Sequence, residues 1–454
     1  MDASTRDVAR AVDLAVPSES PARRTRRTVR WALAVFAIAL AVRLIWVGAV
    51  ESPYDNLWSD MGGYVQRAMQ FAYGRPTEPE FDTLYPPGTH LLYGAQMALV
   101  GWKHHALFLL VNCMWGAAVA PCAMLLAARI APRLWVAVAL GVVVALWHPL
   151  LAFSGFFSSE QLYAALLALS AWLLVRHVET GRNAIALGVA TALAYLVRPP
   201  VLLTVVALAA VGAYLLVQRP AGAPSLRPRR LARSLGIVGA AVVFGALRYH
   251  NLSGRYGLIS DNSAMQRLFA DTDYGKVRSS DKGFFFAPPS KVQTGETREL
   301  SFPGYVGNPE PMERARLAEV ARMTFGARVR RALSNVTLLF VRNELWPEGT
   351  HLGTGWRRSS YRASHFVLLA LVCPLSLLGL VSTAWRPRTA LVVAAAHVLT
   401  ALVAAAFFCG EARYRVPYDA FLMVVALEGI LVVVAGARAL VRAVRARVRQ
   451  PAPA

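Results

Sequence analysis

A few charged and polar positions in an otherwise apolar chain are of types that could do chemistry. Asp60 opens the stretch SDMGGYVQRA, directly after the first long apolar run, and belongs to an acidic segment, Ser59 to His90, that also holds Glu78, Glu80 and Asp82. A carboxylate just outside a membrane span can take a proton from an attacking hydroxyl; at a helix start it could equally cap orphan amides. Glu160, in FFSSEQLY, is a second acid at an expected helix start. The helix dipole favours it there with or without a catalytic role, although acids at membrane depth are costly and often functional. GEARYR, residues 410–415, joins two apolar runs and sets Arg413 and Arg415 two positions apart. Guanidinium groups there could grip phosphate oxygens or anchor the loop among lipid headgroups, with Tyr414 in the aromatic belt. Arg198, before Pro199-Pro200, admits the same two readings. Tyr85-Pro86-Pro87-Gly88 makes a rigid lead-in to a short helix carrying His90 and Tyr93, where His90 could be a catalyst or a hydrogen-bonded interfacial residue. No P-loop, HExxH, GxSxG, GxGxxG or Cys/His metal set occurs.

These residues need elements that bring them together. Of the 454 residues 56% are hydrophobic and only 16% charged, whereas soluble domains carry nearer a quarter charged residues. Apolar runs of about 15–25 residues fit a polytopic helical membrane protein, since a helix needs roughly 20 residues to cross the hydrocarbon. Runs such as VLLTVVALAAVGAYLLV lack the period-two alternation of barrel strands. The fold class is therefore all-α and polytopic. Spans are expected near 31–50, 105–127, 134–153, 160–177, 184–198, 200–217, 234–248, 363–385, 388–408 and 416–440, about ten in all, with both termini cytoplasmic.

The net charge of +22 does not mark a nucleic-acid binder, because Lys and Arg concentrate in the termini and short loops, as the positive-inside rule predicts. Residues 1–30 hold seven arginines and lack the apolar core and cleavage site of a signal peptide. They read as a disordered basic cytoplasmic tail, with a second basic tail at 442–454. Between the tails lie an N-terminal transmembrane module, 31–248, that would carry the chemistry and includes the first outer loop, 51–104; an extracytoplasmic segment, 249–361; and C-terminal transmembrane helices, 362–441. Cys113, Cys122, Cys373 and Cys409 sit in or beside apolar runs without a CxxC pair and read as small buried hydrophobes.

The stretch 86–101 is apolar but short. Were it to span, the arginine-rich loop RPAGAPSLRPRRLARS and the tail RALVRAVRARVRQ would face outward, against the charge bias. It is therefore expected to lie at the outer interface or to dip into the bilayer, with Pro86-Pro87 setting its start. The 51–85 loop, SGFFSSEQ, Arg198, segment 249–361 and GEARYR then share the outer face. Within 249–361 one helix is expected, PMERARLAEVARMTFGARVRRAL at 311–333, whose Met312, Leu317, Val320 and Met323 form an apolar face among arginines, a pattern suited to the headgroup plane.

Taken in order, SDMGGYVQRA, YPPGTHLLYG, SGFFSSEQLYAALLALSAWLLVR, LVRPP and GEARYRVPY resemble the glycosyltransferase C (GT-C) superfamily over about residues 31–440. The likeness is to its dolichyl-phosphate-mannose-protein mannosyltransferase and aminoarabinose-transferase branch (glycosyltransferase family 39-like). The resemblance implies a GT-C-type bundle with interfacial helices, and transfer of a sugar, usually with inversion, from a polyprenyl-phosphate-linked donor to an extracytoplasmic glycan, lipid or protein acceptor. It implies Asp60 as the first-loop acid that serves as base or orients the acceptor, and Glu160 as an outer-face acid. Arg198, Arg413 and Arg415 would hold the donor phosphate, and Tyr64, Tyr85 and His90 would contact acceptor or sugar. Asp60 is followed by Met61 where the mannosyltransferases carry an acidic pair, and 249–361 has no recognisable repeat domain, so sugar and acceptor stay open. Some superfamily members use a divalent metal; without a ligand set in the sequence, no cofactor is expected here. The Ala-, Arg- and Val-rich composition points to a GC-rich bacterium and hence to the inner membrane, with the site on its extracytoplasmic face. A reading from another class, a transporter or flippase of lipid-linked sugars, would share the helices and the arginines but need no outer-face base. A non-catalytic assembly partner is a third.

Overall fold

Apolar runs in lipid become helices because each backbone N–H and C=O must find its partner within the segment. The computed structural model describes residues 21–75, 82–217, 228–271, 276–280, 283–287, 300–302, 309–341, 345, 355–385, 387–408 and 410–448. Over these residues the protein is the helical, multi-pass membrane protein expected. The first part holds α1 (Pro21–Ala49), α2 (Ser59–Tyr73), α3 (Gly88–Val100), α4 (His105–Ala117), α5 (Val119–Ala127), α6 (Leu134–Ala145), α7 (His148–Ala152), α8 (Ser159–Thr180), α9 (Ala184–Val197), α10 (Val201–Val217) and α11 (Pro228–Ser253). Next come α12 (Asn262–Asp271) and a small antiparallel sheet of β1 (Lys276–Ser280), β2 (Gly283–Ala287) and β3 (Leu300–Phe302), with β2 in the middle. The chain ends with α13 (Glu310–Ala321), α14 (Phe325–Val341), α15 (Trp356–Val367), α16 (Cys373–Trp385), α17 (Thr389–Phe407), the single turn α18 (Ala412–Arg415) and α19 (Asp419–Val448).

Seven helical stretches among the described residues are long and apolar enough to cross a membrane, and α6 with α7, bent by 52°, makes an eighth if the pair is one broken span. The remaining two expected spans, α9 of 14 residues and α10 of 17, are helical but reach only about 21 and 25 Å at 1.5 Å per residue. The hydrocarbon is roughly 30 Å thick. At 13 residues α3 is shorter still, about 20 Å, and it packs along α2. A Cβ at Gly88, the first residue of α3, would overlap the Leu196 and Val197 backbone, so YPPGTH and LVRPP meet at a contact only glycine permits.

Two local expectations change. The helix of α1 begins at Pro21, inside the stretch read as disordered, because Pro suits a first helical turn and the Arg and Ala after it are good helix formers. Where one helix is expected over 311–333, α13 and α14 form, because the Thr324 hydroxyl accepts from the Ala327 N–H at 3.2 Å and caps a new helix start. Met312 is buried, Leu317 is exposed, and α14 exposes Phe325, Val329 and Leu333 beside Arg328 and Arg330. A π-helical turn, Leu368–Val372, joins α15 to α16 just before Pro374, which has no N–H for the regular ladder. Residues 1–20, Glu78, Glu80, Cys409 and 449–454 lie outside the described residues.

The C-terminal spans pack through small residues, as helices in lipid do when backbones approach closely. A Cβ at Gly379 of α16 would overlap the Val425 carbonyl of α19, and one at Gly429 of α19 would overlap the Leu375 carbonyl of α16. Ser376 Oγ donates to the Leu422 carbonyl at 2.9 Å along the same seam. Gly379→Ala and Gly429→Ala should each destabilise the protein by about 1–3 kcal/mol, the usual cost of overpacking. Thermal unfolding in detergent reads this, with Gly436→Ala, which has no atom within 4 Å of its added Cβ, as the neutral comparison.

Candidate active site

The site forms where the first loop, the start of α8, the end of α9 and the turn before α19 meet. Ser59 has φ 49°, a left-handed conformation that costs a non-glycine residue roughly 1–2 kcal/mol and persists only where the surroundings fix it. The N-cap of α2 is Trp58, with no side-chain cap bond, so Asp60 is not spent on capping. Its carboxylate accepts a hydrogen bond from the Tyr85 hydroxyl and takes Arg413 Nη1 at 3.3 Å. Asp60, Tyr64 and Arg67 are spaced i, i+4, i+7 and share one face of α2. The Tyr64 and Tyr85 rings lie 5.0 Å apart, and the Arg67 guanidinium sits 4.9 Å from the Tyr85 centroid.

Glu160, in the first turn of α8, is 3% exposed and pairs with Arg198. Arg198 stands at the end of α9 because Pro199 and Pro200 stop that helix. Its Nε and Nη2 donate to Ser159 Oγ at 3.0 and 2.8 Å. The same oxygen accepts from the Tyr64 hydroxyl at 3.4 Å and lies 3.3 Å from Glu160 Oε2. Tyr414 joins the two arginines, its ring 5.3 Å from the Arg198 guanidinium and 4.7 Å from that of Arg413. Arg413 Nη2 also donates to the Tyr414 hydroxyl at 2.6 Å, and Glu411 lies 3.1 Å from Arg413 Nε. Three acids, Asp60, Glu160 and Glu411, and the guanidinium groups of Arg198 and Arg413 thus form one connected set. Burial pushes the Tyr64 phenol up; Asp60 and Glu160 add to this and Arg198 opposes it, so Tyr64 remains a hydrogen-bond donor. The Asp60 side chain is 25% exposed and can be reached from solvent.

Of the residues singled out from the sequence, Asp60, Glu160, Arg198, Arg413, Tyr64 and Tyr85 come together. Arg415 does not join them. Its Nε donates to Asp419 Oδ1 at 2.8 Å within the core, and Asp419 takes the Trp147 indole N–H at 2.8 Å. Residues two apart on a helical turn point about 200° from one another, so Arg413 faces the site and Arg415 the bundle. His90 is buried and makes no hydrogen bond to the site's acids. Burial, then Arg67 and Arg248, lowers its pKa to about 3, which leaves it neutral and a poor proton acceptor. Arg67, Ser159, Glu411 and Tyr414 enter the site without having been singled out for it. The i+7 spacing from Asp60 could have found Arg67, whereas nothing in the sequence signals the stacking on Tyr414. Among the described residues no group of three or more His, Cys, Asp or Glu is placed to hold a metal ion.

Fold and site together define a multi-pass helical membrane protein with a linked acid–arginine site drawn from segments far apart in the chain. No known family profile and no curated protein matches it. Among solved structures it is similar to the oligosaccharyltransferase of Archaeoglobus fulgidus in the apo form, at 11% identity and TM-score 0.48, over 91% of this chain and 52% of that one. It is also similar to AglB from the same organism in complex with an inhibitory peptide and a dolichol-phosphate, at 14% identity and TM-score 0.42, over 93% and 52%. A third similar structure is ArnT from Cupriavidus metallidurans bound to undecaprenyl phosphate, at 15% identity and TM-score 0.34, over 90% and 78%. The chain spans about half the length of the oligosaccharyltransferases it matches.

Proposed function

We propose that the protein is a GT-C-type membrane glycosyltransferase that moves a sugar, with inversion, from a polyprenyl-phosphate-linked donor to a glycan, lipid or protein acceptor. The reaction takes place on the extracytoplasmic side of a bacterial inner membrane. The observation that carries this reading is the joining of Asp60 to Arg413 across 353 residues, beside the Glu160–Arg198 pair, in the segments whose motifs resemble that superfamily. An acceptor hydroxyl or amine approaches the anomeric carbon from the water side and Asp60 takes its proton. The bond from the anomeric carbon to the phosphate oxygen breaks as the new bond forms on the opposite face. Arg413 and Arg198 stabilise the charge left on the lipid phosphate, an electrostatic term that grows in a partly dry cleft. Tyr85 holds the Asp60 carboxylate in place, and Tyr414 keeps the two guanidinium groups on one ring.

Purified protein in proteoliposomes, given a radiolabelled polyprenyl-phosphate sugar and a water-soluble acceptor extract, should transfer label to the acceptor. Movement of intact donor between leaflets without transfer would instead identify a carrier and end this reading.

A further inference from the structure

The first loop is anchored at a second point, which the chemistry above does not use. Glu51, just past the end of α1, has a side chain only 7% exposed and pairs with Arg357 in the first turn of α15. The Arg357 guanidinium lies 5.7 Å from the Trp46 ring centroid. The other carboxylate oxygen, Oε1, accepts from Asn56 Nδ2 at 3.3 Å. Asn56 is buried, and the same amide also donates to the carbonyls of Ser52 and Gly155 at 3.3 and 3.2 Å. A Cβ at Gly155 would come within 2.9 Å of Glu51 Cγ, so the acid is packed closely against the turn before α8. Glu51 thus ties the first loop to that turn and to α15, 306 residues on.

This anchor adjoins the backbone that carries Asp60. Asn56 Oδ1 lies 3.5 Å from the Trp58 indole nitrogen. From the other side Gly62 closes on the loop: its N–H donates to the Trp58 carbonyl at 3.3 Å, and a Cβ there would come within 2.9 Å of the Leu57 carbonyl oxygen. Between Asn56 and Gly62 stands Ser59 at φ 49°. A strained residue keeps its angle only while the chain on both sides is fixed. On the α2 side Tyr85 and Arg413 hold Asp60. On the loop side the hold comes through Asn56 and Glu51. Released there, Ser59 relaxes toward negative φ and turns Asp60 with it.

We infer that Glu51, acting through Asn56 and backed by Arg357, is a positioning residue that clamps the first loop, fixes the Ser59 turn and so aims the Asp60 carboxylate. Its value to catalysis rests on the proposed function, in which Asp60 takes the acceptor proton; the clamp itself does not. Aim matters because a misplacement of about 1 Å can cost on the order of 10²-fold in rate.

Two measurements on the full-length protein in detergent test this separately. The first is backbone hydrogen exchange without ligand. N56A should speed exchange over residues 57–63 by about tenfold and leave α17 unchanged. E51Q keeps an acceptor for Asn56 but weakens the hold of Arg357; it should give a smaller rise in the same segment, and it serves if N56A does not fold. Wild-type exchange over 57–63 in the folded variant overturns the clamp. The second is sugar transfer per folded molecule, in which N56A should lower turnover about tenfold with the dependence on donor concentration unchanged. A purely structural role would lower the melting temperature and spare turnover. That is the result expected of R388Q, which breaks the Arg388–Glu428 contact at the end of α17 away from the 410–415 turn. Wild-type turnover in N56A overturns the positioning role. A wild-type protein that transfers no sugar overturns the proposed function instead, and the exchange measurement still decides the clamp.

Discussion

Asp60→Asn is expected to insert, fold and bind donor as wild type does, and to lose sugar transfer by about 10²–10⁴-fold, the usual worth of a general base. Asn keeps the size of the side chain and can still accept from the Tyr85 hydroxyl, but it cannot take a proton from the acceptor. A structural role would give the opposite pattern. The N-cap of α2 is Trp58, so no cap is lost, and Arg413 keeps Glu411 and the Tyr414 hydroxyl as partners when residue 60 becomes neutral. The measurement is transfer of radiolabelled sugar from polyprenyl phosphate in membranes, at equal protein levels. Wild-type turnover in the Asn variant would sink the catalytic assignment and favour a carrier of lipid-linked sugars.

Arg198→Ala is expected to reduce use of the donor by on the order of 10–10²-fold, as loss of charge-assisted contacts of about 1.5–3 kcal/mol to one phosphate implies. The loss should fall on the dependence on donor concentration and leave that on acceptor unchanged, because Arg198 lies on the Glu160 side of the site and not beside Asp60. Arg198→Lys should recover only part of it. A single ammonium cannot reproduce the fork that reaches Ser159 through both Nε and Nη2. Wild-type donor dependence in a correctly inserted Ala variant would reduce Arg198 to a structural partner of Glu160.

The helices were legible because lipid leaves an apolar run no other open structure. Their limits were less so. The break between α13 and α14 depends on one hydroxyl, Thr324, inside a run of good helix formers, and the early start of α1 on arginines that read equally as a disordered tail. For the site, residue type and position picked out Asp60, Glu160, Arg198 and Arg413, but their pairing is a matter of packing that no spacing encodes. Arg415 shows the limit most clearly. Of the same type as Arg413 and two residues from it, it differs only in the direction it takes around one helical turn, and there it pairs with Asp419 four residues on.

The 353 residues between Asp60 and Arg413 also have a meaning in time. A ribosome adding about 5–20 residues per second needs roughly 20–70 s to cover that distance. The first loop therefore waits, with its carboxylate lacking this partner, while most of the bundle is inserted. Glu160 waits far less, since Arg198 follows it by only 38 residues. Assembly is thus ordered by the chain itself: the inner half of the site can close early, and the half that holds Asp60 closes only once the last spans arrive, so a nascent or truncated chain has no complete site.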